Sequence, residues 1–272
     1  DKEMEPQPGP PRSGMEECRE HRTSEAPGYP GTMSLPRFVL PWSGEPSENV
    51  RIDLSPEQVR HASVLRLRPG SALEVLLPTG PWKADLTELH KGQGCIRLVA
   101  PLGEDREALI PLHACLPITA QLSLWDDWIP GVVELGASLL QPVVYARSEA
   151  NLRKVADRMD RWQRILVGAC EQSHRSRVPE LRSPVPFEAL LSWPTPQRWV
   201  AYEVATGQPN PILRREALAF THGPEGGLTD GEFQALREAG WSPVTLGRSI
   251  LRAVTCPAAL LGAIQYALGT TP

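Results

Sequence analysis

The chain has 272 residues, a hydrophobic fraction of 41% and a formal net charge of −4. That length suits two domains, and the charge is too mild for a chain that binds nucleic acid over its whole surface, so any RNA contact must be a local basic patch. The sequence has no run of about 18 apolar residues, so no transmembrane helix is expected. Its five cysteines lack a C-x-x-C pair, which argues against a zinc site or disulfide framework and points to a reducing, cytoplasmic setting.

Residues 1–32 hold six prolines, four glycines and seven acidic against four basic residues. They cannot bury enough surface to offset their ordering entropy, so a disordered extension is expected, with Met33 as a candidate functional start. Residues 33–104 read as a small β-rich domain. Val50-Arg51-Ile52-Asp53-Leu54 alternates with period two, and Ser55-Pro56-Glu57 opens a short helix with Pro at its first position. Strands are expected over 73–77, 82–89 and 95–99, separated by Pro/Gly turns, a spacing that suggests a small barrel.

Residues 105–116 read as a linker and 117–272 as an α/β domain. The expected order is a strand at Thr119–Trp125, a helix at Trp128–Ser138 with Pro130 in its first turn, and a strand at Leu140–Ala146. Ser148 then caps the longest helix. Leu152, Val155, Met159, Trp162, Leu166 and Ala169 form its buried stripe. From Arg147 to Arg182 the chain carries nine basic and five acidic residues. The helix body admits two readings, a solvated face with i,i+4 pairs such as Arg153 with Asp157, or a basic surface for RNA. For Glu171-Gln172-Ser173-His174-Arg175-Ser176-Arg177 the phosphate-contact reading is favoured, because polar groups cluster there without an apolar partner.

A short helix is expected at Pro186–Leu191 and buried strands at Trp199–Val204 and Ala217–Phe220. The second strand runs into Thr221-His222-Gly223-Pro224-Glu225-Gly226-Gly227. Thr229-Asp230-Gly231-Glu232 then has the form of a capping box, opening a helix that ends at Gly240. A strand at Pro243–Leu246 leads into Gly247-Arg248-Ser249-Ile250-Leu251-Arg252, and an apolar helix spans Cys256–Leu268. Two loops, Gly223–Gly227 and Gly247–Arg252, would therefore lie at the carboxyl edge of one parallel sheet. There they could cradle a nucleoside-type cofactor.

Gly223-Pro224-Glu225-Gly226-Gly227, followed by Leu246-Gly247-Arg248-Ser249-Ile250-Leu251-Arg252, resembles the SPOUT RNA methyltransferases. Within them it is similar to the family that methylates N3 of a uridine in small-subunit (16S) ribosomal RNA at the decoding centre. His61–Gly70 resembles that family's N-terminal PUA-like barrel, and Glu134-Leu135-Gly136 and Glu171–Arg175 its helical segments. The resemblance implies S-adenosyl-L-methionine as methyl donor, a C-terminal trefoil knot and a homodimer, with no metal. It implies cofactor contacts from Gly223, Pro224, Glu225, Gly226, Gly227, Leu246, Gly247, Ile250 and Leu251. Arg252 and Arg175 are the candidate catalytic residues, and Gln172, Arg175, Arg177, Arg66 and Arg68 the candidate RNA contacts. The sequence departs from the family at three places. Val254 stands where a glutamate is usual, Asp126-Asp127 opens a normally basic helix, and His222 replaces an apolar residue. His222 is open to two readings, a base or a buried structural histidine. Two other functions stay open as well: action on a different RNA, or a non-catalytic ribosome-assembly role.

Overall fold

The computed structural model describes residues 35–103, 105–148, 152–202 and 209–269; the extension expected over 1–32 lies outside them. The first part is a five-stranded sheet built from β1 (Arg37–Val39), β2 (Arg51–Asp53), β3 (Ala72–Leu77), β4 (Gly80–His90) and β5 (Gln93–Pro101). Its order is β1-β3-β4-β5-β2, with β1 and β2 at the two ends. Only β1/β3 is parallel. The period-two pattern sets the faces: β4 buries Trp82, Ala84 and Leu86 and leaves Lys83 outside. Helix α1 (Pro56–Val64) starts where Ser55 and Gln58 close a capping box. Phe38, Leu73, Val75, Leu86, Ile96 and Leu98 form the core beneath it, each fully buried.

The second part is a sheet of seven strands whose pairings are all parallel. These are β6 (Leu112–Pro117), β7 (Leu139–Val144), β8 (Glu180–Leu181), β9 (Val185–Pro186), β10 (Gln197–Ala201), β11 (Leu218–His222) and β12 (Ser242–Val244). The order is β12-β10-β11-β6-β7-β8, with β9 also on β7. One face is covered by α2 (Leu124–Glu134), α3 (Leu152–Ser173) and α5 (Cys256–Leu268), packed on Leu112, Ala114, Leu116, Leu218 and Phe220. The other face carries α4 (Asp230–Glu238) and a 3-10 turn at Phe187–Ser192, over Cys115, Val143, Val200 and Ala219. Both faces of these strands are thus buried, as a parallel sheet requires.

Several expected elements move. The strand placed at Thr119–Trp125 is instead β6, inside the stretch read as a linker. Leu112, Ala114 and Leu116 face one core and Cys115 the other, so the run is apolar on both faces and lacks alternation. Trp125 belongs to α2, where its indole donates to Pro117 O at 3.0 Å and stacks on Trp162 of α3 with ring centroids 4.6 Å apart. Because α2 starts earlier than expected, Pro130 falls inside it rather than in its first turn. Leu152 is 55% exposed and drops out of the expected stripe of α3. The cap expected from Ser148 would fall on residues 149–151, which lie outside the described residues; the Ser148 hydroxyl accepts from Tyr145 N at 2.8 Å. No helix among the described residues is long and apolar enough to cross a membrane.

Candidate functional site

The carboxyl ends of β6, β11, β10 and β12 lie side by side, and the segments leaving them enclose a cavity of about 650 Å³. Gln121 and Leu124 follow β6, Ala201 and Tyr202 end β10, His222 to Leu228 leave β11, and Val244 to Val254 leave β12. A pocket outside the carboxyl ends of parallel strands is the common ligand site of an open α/β sheet. Every residue expected to touch a cofactor lines this one cavity: Gly223, Pro224, Glu225, Gly226, Gly227, Leu246, Gly247, Ile250 and Leu251. Arg252 lines it too.

The sequence of the first loop dictates its shape. Gly227 N donates to Pro224 O at 2.8 Å, closing a tight turn. The turn folds back so closely that a Cβ on Gly223 would stand 2.7 Å from Leu228 N, and Gly227 has φ +70°. Just beyond, Thr229 caps α4 and Glu232 answers, with one carboxylate oxygen on Thr229 N at 2.8 Å and the other on Ala146 N at 2.8 Å. The segment after β7 thereby grips the loop from outside. Arg147 completes that grip, donating through Nη1 to Gly226 O at 2.7 Å and to Leu228 O at 3.3 Å. Sequence reasoning missed Arg147 as part of the site. The available signal was its position just past the carboxyl end of a parallel strand.

His222 closes β11 at the cavity wall and is 3% exposed. Its Nδ1 lies 2.8 Å from Gly223 O, so Nδ1 carries the proton. Its Nε2 is buried and has no hydrogen-bond partner among the described residues. Burial pushes the imidazole from 6.5 down to about 4, only partly opposed by the Gly223 carbonyl. The ring is therefore neutral at pH 7 and far too weak a base to hold a proton taken from an imide. Of its two sequence readings, the buried histidine is the one the geometry fits. Arg252 differs: it is exposed, and its side chain has no ion-pair partner among the described residues.

The expected RNA cluster at 171–177 is split: Arg175 and Ser176 are buried, while Gln172 and Arg177 are exposed. Arg175 is 2% exposed. Its Nε donates to Glu107 at 3.0 Å, Nη2 also reaches Glu107, and Nη1 donates to Val133 O at 2.6 Å and Ala137 O at 3.0 Å. Buried and turned inward onto Glu107, Val133 and Ala137, it is not presented to a phosphate or a uracil, so both roles expected of it are corrected. Its neighbours join the two sheets. Val39 N donates to Glu171 at 2.9 Å, His174 meets Glu74 at 2.9 Å, and Arg37 bridges Glu74 at 2.9 Å and Arg175 O at 2.5 Å. Burial alone would raise the Glu74 carboxyl, but Arg37 and His174 bring it below its usual range. Gln172 and Arg177 are exposed, Arg177 with Asp105 at 3.3 Å, and so are Arg66 and Arg68. None of these lines the cavity. Asp126 is internally neutralised, lying 3.0 Å from Arg161 and 3.7 Å from Arg158.

A family model described as RNA methyltransferase domain matches residues 106–265, which hold the cavity and the whole parallel sheet. The chain is 30% identical over 240 residues to ribosomal RNA small subunit methyltransferase E of Synechocystis sp., covering 80% of this chain and 78% of that protein. It is 30% identical over 233 residues to the protein of that name from Bacillus subtilis, covering 77% and 88%. The crystal structure of ribosomal RNA small subunit methyltransferase E from Neisseria gonorrhoeae, bound to S-adenosyl methionine, superposes with a TM-score of 0.76 at 33% identity. That match covers 85% of this chain and 97% of that one. The chain belongs to this family of RNA methyltransferases, that of ribosomal RNA small subunit methyltransferase E.

Proposed function

We propose that the chain methylates N3 of one uridine in small-subunit (16S) ribosomal RNA near the decoding centre, with S-adenosyl-L-methionine as donor. One observation carries the reading: the two glycine-containing loops expected to share a cofactor enclose a single cavity, with the exposed Arg252 on its wall. The residues fit a nucleoside-sized group. The cavity is large enough, and a Cβ at Gly223 would collide with the backbone of the loop's return. The relatives' name supports the ribosomal substrate, and the cofactor in the Neisseria structure supports the donor.

The cofactor supplies an electrophilic methyl group; the chain's own residues hold and prepare the partner. Loop 223–227 and residues 246–251 bind through backbone groups. The neutral N3 of uracil is a poor nucleophile until its proton leaves; that proton passes to solvent water at the exposed cavity mouth, and Arg252 stabilises the resulting anion electrostatically. The target base has to be accessible or flipped out to reach the cavity.

In this reading residues 33–104 are a PUA-like RNA-binding barrel presenting Arg66 and Arg68. The part from residue 106 onward, which includes β6, is the catalytic SPOUT domain with its trefoil knot, acting in the cytoplasm. Gln172 and Arg177 extend the RNA surface. A homodimer accounts for the apolar exposure of Ile250 at 77%, Val254 at 39% and Tyr266 at 90%. A second reading, a non-catalytic assembly factor, rests on Val254 and the exposed Asp127, since Asp126 is paired with Arg161 and Arg158. Nucleoside mass spectrometry of small-subunit RNA from a strain lacking the protein decides between them. Loss of one N3-methyluridine supports the enzyme, and an unchanged RNA rejects it.

A further inference from the structure

The second cavity loop, residues 246–251, is fastened at its two ends by different means. At the far end, where α5 begins, Arg252 O accepts from Thr255 N at 2.9 Å and from Cys256 N at 3.1 Å. At the near end β12 has run out. Val244 O still accepts from Tyr202 N at 3.2 Å, on the β10 side. Successive residues of a strand turn their backbone groups to opposite edges, so Thr245 presents its N–H and C=O on the open side, at the end of the sheet. Asn210 takes both groups: its Oδ1 accepts from Thr245 N at 2.9 Å, and its Nδ2 donates to Thr245 O at 2.9 Å. Among the described residues, none of 246–251 has a backbone hydrogen bond of its own.

The local sequence prepares this clamp. Asn210 is exposed, so water competes for both bonds. Its neighbours offset that competition: Pro209 has its φ fixed, and Pro211 confines Asn210 to extended conformations. A primary amide held beside a strand offers one donor and one acceptor, as a residue of a neighbouring strand does. Thr245 lines the cavity and Asn210 does not. We propose that Asn210 is a positioning residue for the cofactor, holding Thr245 so that Leu246, Gly247, Ile250 and Leu251 stand in place before the ligand arrives. This rests on the S-adenosylmethionine reading above. Without the clamp, binding must also order the loop, and affinity falls. Arg252 stays anchored through α5, so the chemical step is spared.

Calorimetry with S-adenosylhomocysteine and steady-state kinetics test it on the wild type, Asn210→Ala and Asn210→Asp. Asn210→Ala should weaken the ligand, and raise the KM for S-adenosylmethionine, by about tenfold. Its kcat and its KM for RNA should stay within about twofold of the wild type. Asn210→Asp keeps the shape but sets a carboxylate oxygen against Thr245 O, and should lose at least as much affinity. A kcat that falls as far as the KM rises would mean a merely structural role and overturn the proposal; so would an Asn210→Asp variant that binds like the wild type. Hydrogen exchange of the wild type without ligand gives a readout independent of any variant's folding. The Thr245 N–H should exchange slowly, and free exchange there overturns the proposal. If the wild type does not bind S-adenosylhomocysteine, the cofactor reading itself fails and takes this inference with it. If wild type and Asn210→Ala bind it equally, the cofactor reading stands and the Asn210 assignment alone fails.

Discussion

Arg175 and Glu107 form a buried, two-pronged ion pair, with Arg175 Nε 3.0 and 3.1 Å from the two carboxylate oxygens and Nη2 on the second of them. The same carboxylate accepts from Ser176 N at 2.9 Å and Arg177 N at 3.0 Å. The pair therefore fixes the end of α3 against the segment entering β6. Removing one partner of such a pair strands the other charge without solvent.

Arg175→Ala should accordingly destabilise the protein by about 3–5 kcal/mol. Urea denaturation checks it, and Glu107→Gln should show a loss of similar order. An RNA-contacting arginine would behave in the opposite way, with stability unchanged and RNA affinity reduced.

This error of reading shows where sequence pattern stops. The polar run at 171–177 has no local apolar partner, so it looks like a solvent-facing surface. Its partners sit far away in the chain: Glu74 is 100 residues from His174 and Glu107 is 68 from Arg175. No periodicity reports contacts at such separation. β6 was missed for a related reason, since a strand buried on both faces has no alternation to read. What could be read was local and chemically constrained. Pro56 at the first helical position and the capping box at Thr229 set α1 and α4, and the loops at 223–227 and 246–252 follow strands as their glycines require. Their meeting at one sheet edge was legible because each follows a strand of the same parallel sheet, and the strand order sets them around one cavity.

Arg147 holds the glycine loop by its carbonyls but makes no contact that the core depends on. Arg147→Ala should weaken S-adenosylmethionine binding by about tenfold, the scale of one charged hydrogen bond in a partly solvated site. Stability should change by less than about 1 kcal/mol. Calorimetry and urea denaturation of the same sample separate the two effects, and Arg147→Lys should recover part of the affinity.

His222 makes stability depend on pH in a defined window. Burial lowers its folded value from 6.5 to about 4, so the unfolded chain binds the proton more readily. The stability from keeping the ring neutral is fully present above pH 6.5 and is lost as pH falls towards 4. The shift corresponds to roughly 3 kcal/mol. Urea midpoints at pH 7 and pH 4.5 should fall further apart in the wild type than in His222→Leu; equal slopes would show that the ring is not held neutral by the fold.

Arg252 is exposed on the cavity wall and is not needed to shape either loop by its side chain. Arg252→Ala should reduce methyl transfer by about 100-fold or more, as loss of an electrostatic stabiliser does. Binding of S-adenosylmethionine should be unaffected. Single-turnover rates beside calorimetric affinities give the comparison.

The most direct measurement is methyl transfer in vitro, with purified protein, labelled S-adenosylmethionine and small ribosomal subunits lacking the modification, followed by nucleoside mass spectrometry. The expected result is one N3-methyluridine per subunit, absent when the protein is omitted. No label in either subunits or free small-subunit RNA, with the protein folded and the cofactor bound, would contradict it.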